Sequence, residues 1–187
     1  IVQITDFVEE GEDKYYIMEM LTGESLTDVL DREGILPLHR AVHIASQVCE
    51  ALQAVHDAGI VHRDLKPENI FLTDRGDSHD FVKLLDFGVA KLSDLGANLS
   101  SGQTAAGAIL GTPEYMSPEQ VSGKTDVDYR TDIYAMGVIL FELITGQKPF
   151  AASSFGEMVI KHMTEAPPKP SAVASHDIPR ALESSSS

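Results

Sequence analysis

Residues 131–145 read TDIYAMGVILFELIT, which predicts a helix that is apolar nearly all the way round. Such a helix does not lie on a surface; it belongs inside a protein, with the other elements packed about it. Its apolar stretch, Ile133 to Ile144, contains Glu142 and is too short to cross a bilayer, so the interior it requires is a protein core. Gly146 is its predicted stop, and Pro149 follows. The 187 residues suffice for one domain around such a core. Aromatic residues make up only 6% and Trp is absent, so aliphatic side chains must fill most of it.

The rest of the chain supplies shorter elements. Ile1 to Val8 and Tyr15 to Leu21 read as strands around a charged turn, Glu9 to Lys14, and predict a hairpin. Ser25 is placed to cap a short helix running to about Leu30, followed by a loop, Asp31 to Leu36. Pro37 suits a first helical position. From there Ala41, Ile44, Ala45, Val48, Cys49, Leu52 and Val55 keep helical spacing, up to a stop at Gly59. Ile70 to Leu72 and Phe81 to Leu85 read as short strands around the polar turn Thr73 to Asp80. Residues 91–110, rich in Ser, Gly and Ala, read as a loop. Phe155 to Met163 predicts one more helix, and beyond Ala166 the chain is Pro-rich. The fold class is α+β.

A formal net charge of −15 argues against attachment to nucleic acid or to an anionic membrane surface. Cys49 is the only cysteine, so no intrachain disulfide forms; its place in the apolar pattern predicts core packing, and a reducing, cytoplasmic setting fits. No basic n-region opens the chain, so no signal peptide is read there. His39 and His43 have the spacing of zinc-binding histidines, but Arg40 stands where a catalytic Glu is needed, and a solvated helix face is the reading taken.

The chemistry is concentrated in three segments: His62-Arg63-Asp64-Leu65-Lys66-Pro67-Glu68-Asn69, then Asp86-Phe87-Gly88, then Gly111-Thr112-Pro113-Glu114-Tyr115-Met116-Ser117-Pro118-Glu119. Together with Asp132 at the head of the buried helix, these resemble the catalytic loop, metal-binding loop, activation segment and central helix of protein kinases. The match is to the bacterial serine/threonine branch, in order and over nearly the whole chain. The resemblance implies a protein-kinase-like fold, mainly the α-helical large lobe (residues 25–183) with a residual hairpin of the small lobe (1–18), a hinge (19–24) and a serine tail (184–187).

It also implies roles. Phosphoryl transfer needs positioning and charge neutralisation more than covalent help. Asp64 resembles the carboxylate that takes the substrate hydroxyl's proton, and Lys66 the lysine that contacts the transferred group. Asn69 and Asp86 resemble the oxygen ligands of Mg2+, a hard cation. Thr112 resembles the threonine that links the peptide-binding loop to Asp64 and Lys66. Met18 occupies the gatekeeper position, and the backbone of Glu19 and Leu21 would meet the adenine of ATP. His62, Phe87 and Ile4 resemble members of the apolar stack between the lobes. Gly88 frees the backbone after the metal ligand. Asp132 resembles the carboxylate that holds the catalytic loop from below. Arg63 resembles the arginine that pairs with a phosphorylated activation loop, and Thr104 sits where bacterial relatives autophosphorylate. Glu119 resembles a glutamate that pairs with a later arginine. The partners implied are ATP and a protein carrying Ser or Thr, with no nucleic acid and no membrane contact by this segment.

Two departures accompany the match. No G-x-G-x-x-G and no V-A-I-K-like segment occurs, and Lys14, in the predicted turn, is no substitute for the strand lysine. Ile178 to Glu183 begins like a late helix and passes into four serines. The reading is therefore a kinase fragment, weak or inactive alone, with exposed apolar residues on its hairpin and poor solubility. A non-catalytic, kinase-like binding module is the alternative.

Overall fold

The computed structural model describes residues 1–11, 13–76, 78–86, 112–124 and 126–182. Phe87, Gly88 and Thr104, and the loop expected over 91–110, lie outside these residues.

The chain opens with the expected hairpin, β1 (Ile4–Glu10) and β2 (Asp13–Met18), paired antiparallel with Phe7 opposite Tyr16. Each strand is displaced about two residues from its expected position. The hairpin is moored at its base: the Val2 amide donates to the Leu84 carbonyl (2.9 Å) and the Glu19 amide to the Gln3 carbonyl (3.0 Å). Ile4, Phe7, Val8, Tyr15, Tyr16 and Ile17 are exposed along it. Ile4, at 54% exposure, is therefore not packed in an apolar stack as expected; all seven residues of β1 are exposed.

A second sheet has the order β3–β4–β5: β3 (Gly23–Ser25), β4 (Ile70–Arg75) and β5 (Ser78–Leu84), all antiparallel. The polar residues expected to form a long turn instead continue both strands, because Arg75 pairs with Ser78 and closes the hairpin tightly.

Ser25 caps α1 (Leu26–Glu33) through a capping box with Asp28. The helix runs three residues beyond Leu30, and Gly34 (φ 72°) is the first residue that ends it. Arg32 reaches back to Glu24 and across to Glu33, which favours the extra turn. Pro37 is the N-cap of α2 (Leu38–Asp57) rather than its first residue. Ala41, Ile44, Ala45, Val48, Leu52 and Val55 form its buried stripe, but Cys49 is exposed. The core-packing expectation fails because residues 41, 44, 48, 52 and 55 already fill the contact face, and position 49 turns past its edge. His39 and His43 are also exposed, with the His43 ring 3.1 Å from the Gln47 amide.

Two short elements follow, a 3-10 turn (Pro113–Tyr115) and α3 (Pro118–Val121). The all-apolar segment becomes α4 (Arg130–Thr145), closed at Gly146 in the left-handed region (φ 70°). It forms the axis of the core, with Ala135, Ile139, Leu143 and Ile144 packed among Leu36, Ile44, Val48 and Leu52. The Leu36 amide bonds to the Leu143 carbonyl at 2.9 Å. The burial is not complete: Ile133 is exposed on the face away from α2. α5 (Phe155–Thr164) forms as expected. The Pro-rich stretch holds one helical turn, α6 (Pro170–Val173), with proline at its start, and the expected late helix is a single 3-10 turn, Arg180–Leu182.

Candidate active site

The segment after α2 cannot continue as a helix, because Gly59 takes φ 75° and the chain turns back across the end of α4. Here Asp132, in the first turn of α4 and only 1% exposed, holds the backbone from beneath. Its Oδ2 accepts from the His62 amide at 2.9 Å and its Oδ1 from the Arg63 amide at 2.8 Å. His56, from the last turn of α2, donates its Nε2–H to Oδ2 at 2.7 Å. A buried carboxylate with three donors is satisfied, and the two peptide N–H groups that α2 no longer serves are satisfied with it.

Arg63 is left-handed, with φ 65°, rare for a residue with a long side chain. That kink sends the chain from His62, buried beneath, to Asp64, half-exposed above. The His62 ring spans the gap: its Nε2 donates to the Leu85 carbonyl (2.9 Å) while Nδ1 faces the Asp64 amide at 3.4 Å. These contacts fix the neutral Nε2–H tautomer. Burial lowers the pKa of this imidazole, although Asp132, Asp64 and Asp86 all pull the other way.

Asp64, Lys66 and Asn69 are brought together by the 3-10 turn Pro67–Asn69. The buried Asn69 amide donates to the Asp64 carbonyl (2.8 Å) and to its carboxylate Oδ2 (3.2 Å), and the Lys66 ammonium lies 3.7 Å from the same oxygen. With its NH2 turned to Asp64, Asn69 presents its amide oxygen the other way. Asp86 follows Leu85, whose amide is tied to the Asn69 carbonyl at 2.9 Å. Asp86 is itself left-handed (φ 44°) and exposed. The oxygen donors on Asn69 and Asp86 suit a hard cation. Among the described residues no group of three or more His, Cys, Asp or Glu forms a metal cage.

Thr112, Met116 and Gln120 line one narrow cleft with Asp64 and Lys66. Glu119 sits half-buried in the first turn of α3. Met18 ends β2 with its side chain exposed, and Leu21 is half-buried. Between them the Glu19 carboxylate accepts from Lys83 (2.7 Å) and from the Gln3 amide (2.8 Å), and the Lys83 bond holds it below the usual carboxylate range. Thr73 donates to the Thr22 carbonyl at 2.6 Å, completing the mooring of this connector.

Sequence reasoning missed three contributors. His56 carried no motif; its only sign was a polar ring at the end of an apolar stripe. Gln120 lies in an S-x-x-Q capping pattern with Ser117, the sign that could have found it. Tyr115 donates to Glu142 at 2.6 Å, and burial raises the pKa of both groups; Glu142 had registered only as an interruption in an apolar run.

Comparison with known proteins gives consistent matches. Residues 1–186 match the protein kinase domain family. The serine/threonine-protein kinase pkn3 of Myxococcus xanthus is 46% identical over 170 residues, which cover 90% of this chain and 31% of that protein. Pkn1 of the same organism is 48% identical over 173 residues, covering 92% and 24%. PknA of Mycobacterium tuberculosis is 40% identical over 159 residues, covering 85% and 35%. The chain thus spans about a quarter to a third of the length of these relatives. A crystal structure of Rad53 1-466 in complex with AMP-PNP superposes with a TM-score of 0.68 at 28% identity, covering 85% of this chain and 37% of that one.

Proposed function

This chain belongs to the protein kinase domain family, and on that premise we propose that the full-length protein transfers the γ-phosphoryl group of ATP to a Ser or Thr hydroxyl of a protein. Its relatives are serine/threonine-protein kinases of bacteria, and its α+β fold is that of the family. The observation that carries the reading is the Asn69 amide bonded to both the carbonyl and the carboxylate of Asp64, with Lys66 beside them.

In this reading Asp64 accepts the hydroxyl proton as the new O–P bond forms and the bond to the ADP oxygen breaks. Lys66 sets positive charge against the transferred group, and Thr112 positions the arriving peptide beside both. Asn69 and Asp86 would hold Mg2+, which when bound offsets the negative charge developing on the phosphates. The backbone of Glu19 and Leu21 would meet the adenine edge, with Met18 behind it. Arg63 and Thr104 would form a phosphorylation switch, and Phe87, Gly88, Glu119 and Asp132 would keep supporting roles. Residues 1–18, 19–24 and 25–183 would be small-lobe, hinge and large-lobe portions. Among the described residues no helix is long and apolar enough to cross a membrane; a reaction fed by ATP would have this segment work in the cytoplasm.

The test is transfer of labelled phosphate from Mg-ATP to a basic test protein by the full-length protein, compared with Asp64→Asn. Loss of transfer with ATP binding retained supports the kinase. Transfer equal in the two removes Asp64 from the proton's path. No transfer in either, with partner binding kept, favours the non-catalytic module.

A further inference from the structure

We infer that Gln120 is a positioning residue for Asp64, clamping the peptide unit that carries it; its catalytic consequence rests on the kinase reading above. Two peptide planes flank the left-handed Arg63. The plane before it is fixed by Asp132, which accepts from the Arg63 amide at 2.8 Å. The plane after it contains the Arg63 carbonyl and the Asp64 N–H. Gln120 donates its Nε2–H to that carbonyl at 2.7 Å, across 57 positions of sequence. With one plane held from below by α4 and the other from above by α3, the strained φ of 65° is fixed between them, and with it the direction in which Asp64 leaves the chain.

A glutamine at this place in a four-residue helix has an ordinary duty. In a capping box its side-chain oxygen reaches back to the N-cap amide, and Gln120 Oε1 does so, accepting from the Ser117 amide at 3.0 Å. The same oxygen accepts from the Thr131 hydroxyl at 2.7 Å. Having given its one proton there, Thr131 must accept from the buried Ser117 hydroxyl, 2.7 Å away. The acceptor side of the amide is thus used up by the cap and by α4, and rotation about the last side-chain bond is frozen. The donor side then has one direction left, toward Arg63. The cap duty needs only the oxygen; the NH2 is the part that acts on the catalytic loop. Formation of the 112–121 segment and the setting of Asp64 become one event, because the cap that starts α3 also delivers the donor.

Mirror substitutions in the full-length protein separate the two duties. Gln120→Glu keeps both acceptors and the capping box but turns a carboxylate oxygen on the Arg63 carbonyl. Gln120→Lys keeps a donor and loses the acceptors. The expected result for Gln120→Glu is a kcat lowered roughly ten- to hundred-fold, the scale of an ångström-sized misplacement, with KM for ATP unaltered. Amide exchange at residues 62–65 should be faster than in wild type. Gln120→Lys should melt lower yet keep the higher kcat of the two and slower exchange at 62–65. Wild-type kcat and exchange in Gln120→Glu, or the reverse order of the pair, would overturn the inference and leave Gln120 a cap alone. If Gln120→Glu does not fold, Gln120→Lys is compared with Gln120→Met, and equal values refute the clamp. If the wild-type protein transfers no phosphate, the kinase reading falls, while the exchange comparison still decides the clamp.

Discussion

Replacing Asp132 by Asn tests the foundation of the site, because the change preserves shape and removes only charge and one acceptor. In the wild type, Oδ2 serves the His62 amide and the His56 ring, and Oδ1 serves the Arg63 amide. The best orientation of Asn keeps its oxygen toward the first pair and points its NH2 at the Arg63 N–H. Two donors then face each other at a place with almost no solvent access. An orphaned buried donor costs about 1–3 kcal/mol, and the two remaining bonds fall from charge-assisted to neutral strength, roughly 1 kcal/mol each. The sum is about 3–5 kcal/mol, a large share of the roughly 5–15 kcal/mol that holds a domain. For a domain of this size it should lower the melting midpoint by roughly 6–20 °C. Relief comes by letting Arg63 leave the left-handed region, which swings Asp64 away from Asn69 and Lys66. Thermal melting and amide exchange on the full-length protein measure both effects, and exchange at residues 62 and 63 should rise most. A midpoint within about 2 °C of wild type, with protection at 62 and 63 intact, would show that the carboxylate does not hold the loop and refute the reasoning.

Other outcomes follow from the same structure. Burial holds His62 and His162 below the ordinary histidine value of about 6.5. The unfolded chain then takes up protons that the folded one refuses, so stability is full above that value and falls as pH drops through it. The loss is at most about 1.4 kcal/mol per pH unit for each ring, and melting curves from pH 7.5 to 5.5 should show a shallower fall in His162→Gln. Gly23, at φ 149°, admits no side chain: an added Cβ would lie 2.0 Å from the Leu72 carbonyl oxygen. Gly23→Ala should therefore part β3 from β4, cost more stability than the about 1–3 kcal/mol of backbone strain alone, and lower the melting midpoint; an unchanged midpoint would contradict the pairing. The 187 residues expressed alone, with apolar side chains exposed along β1 and β2, should self-associate by light scattering and transfer little phosphate; a monodisperse preparation as active as the full-length protein would contradict both expectations.

Much of the architecture was legible because it follows local rules. A segment with apolar residues on every face is driven inside, and α4 is the core's axis. Ser25 and Gly146 cap as their types require, and the hairpin at the start forms within a few residues of its expected place. Asp64, Lys66 and Asn69 come together because one 3-10 turn joins them, so their proximity is already a property of the sequence. Where local rules misled, the reason was a neighbour elsewhere in the fold: Cys49 fits the apolar spacing, yet α4 and β5 occupy only the face one step round.

Tertiary structure decided which distant polar groups share hydrogen bonds. His56, His62 and Arg63 meet Asp132 across 69 to 76 positions, and Gln120 meets Arg63 across 57. No periodicity encodes such pairs. They form because burial around α4 removes water from several donors and acceptors at once, and each must then find a partner within about 3 Å of where packing has left it. The chain determined by itself which polar groups it could offer; only the packed core determined which of them hold Asp64 in place.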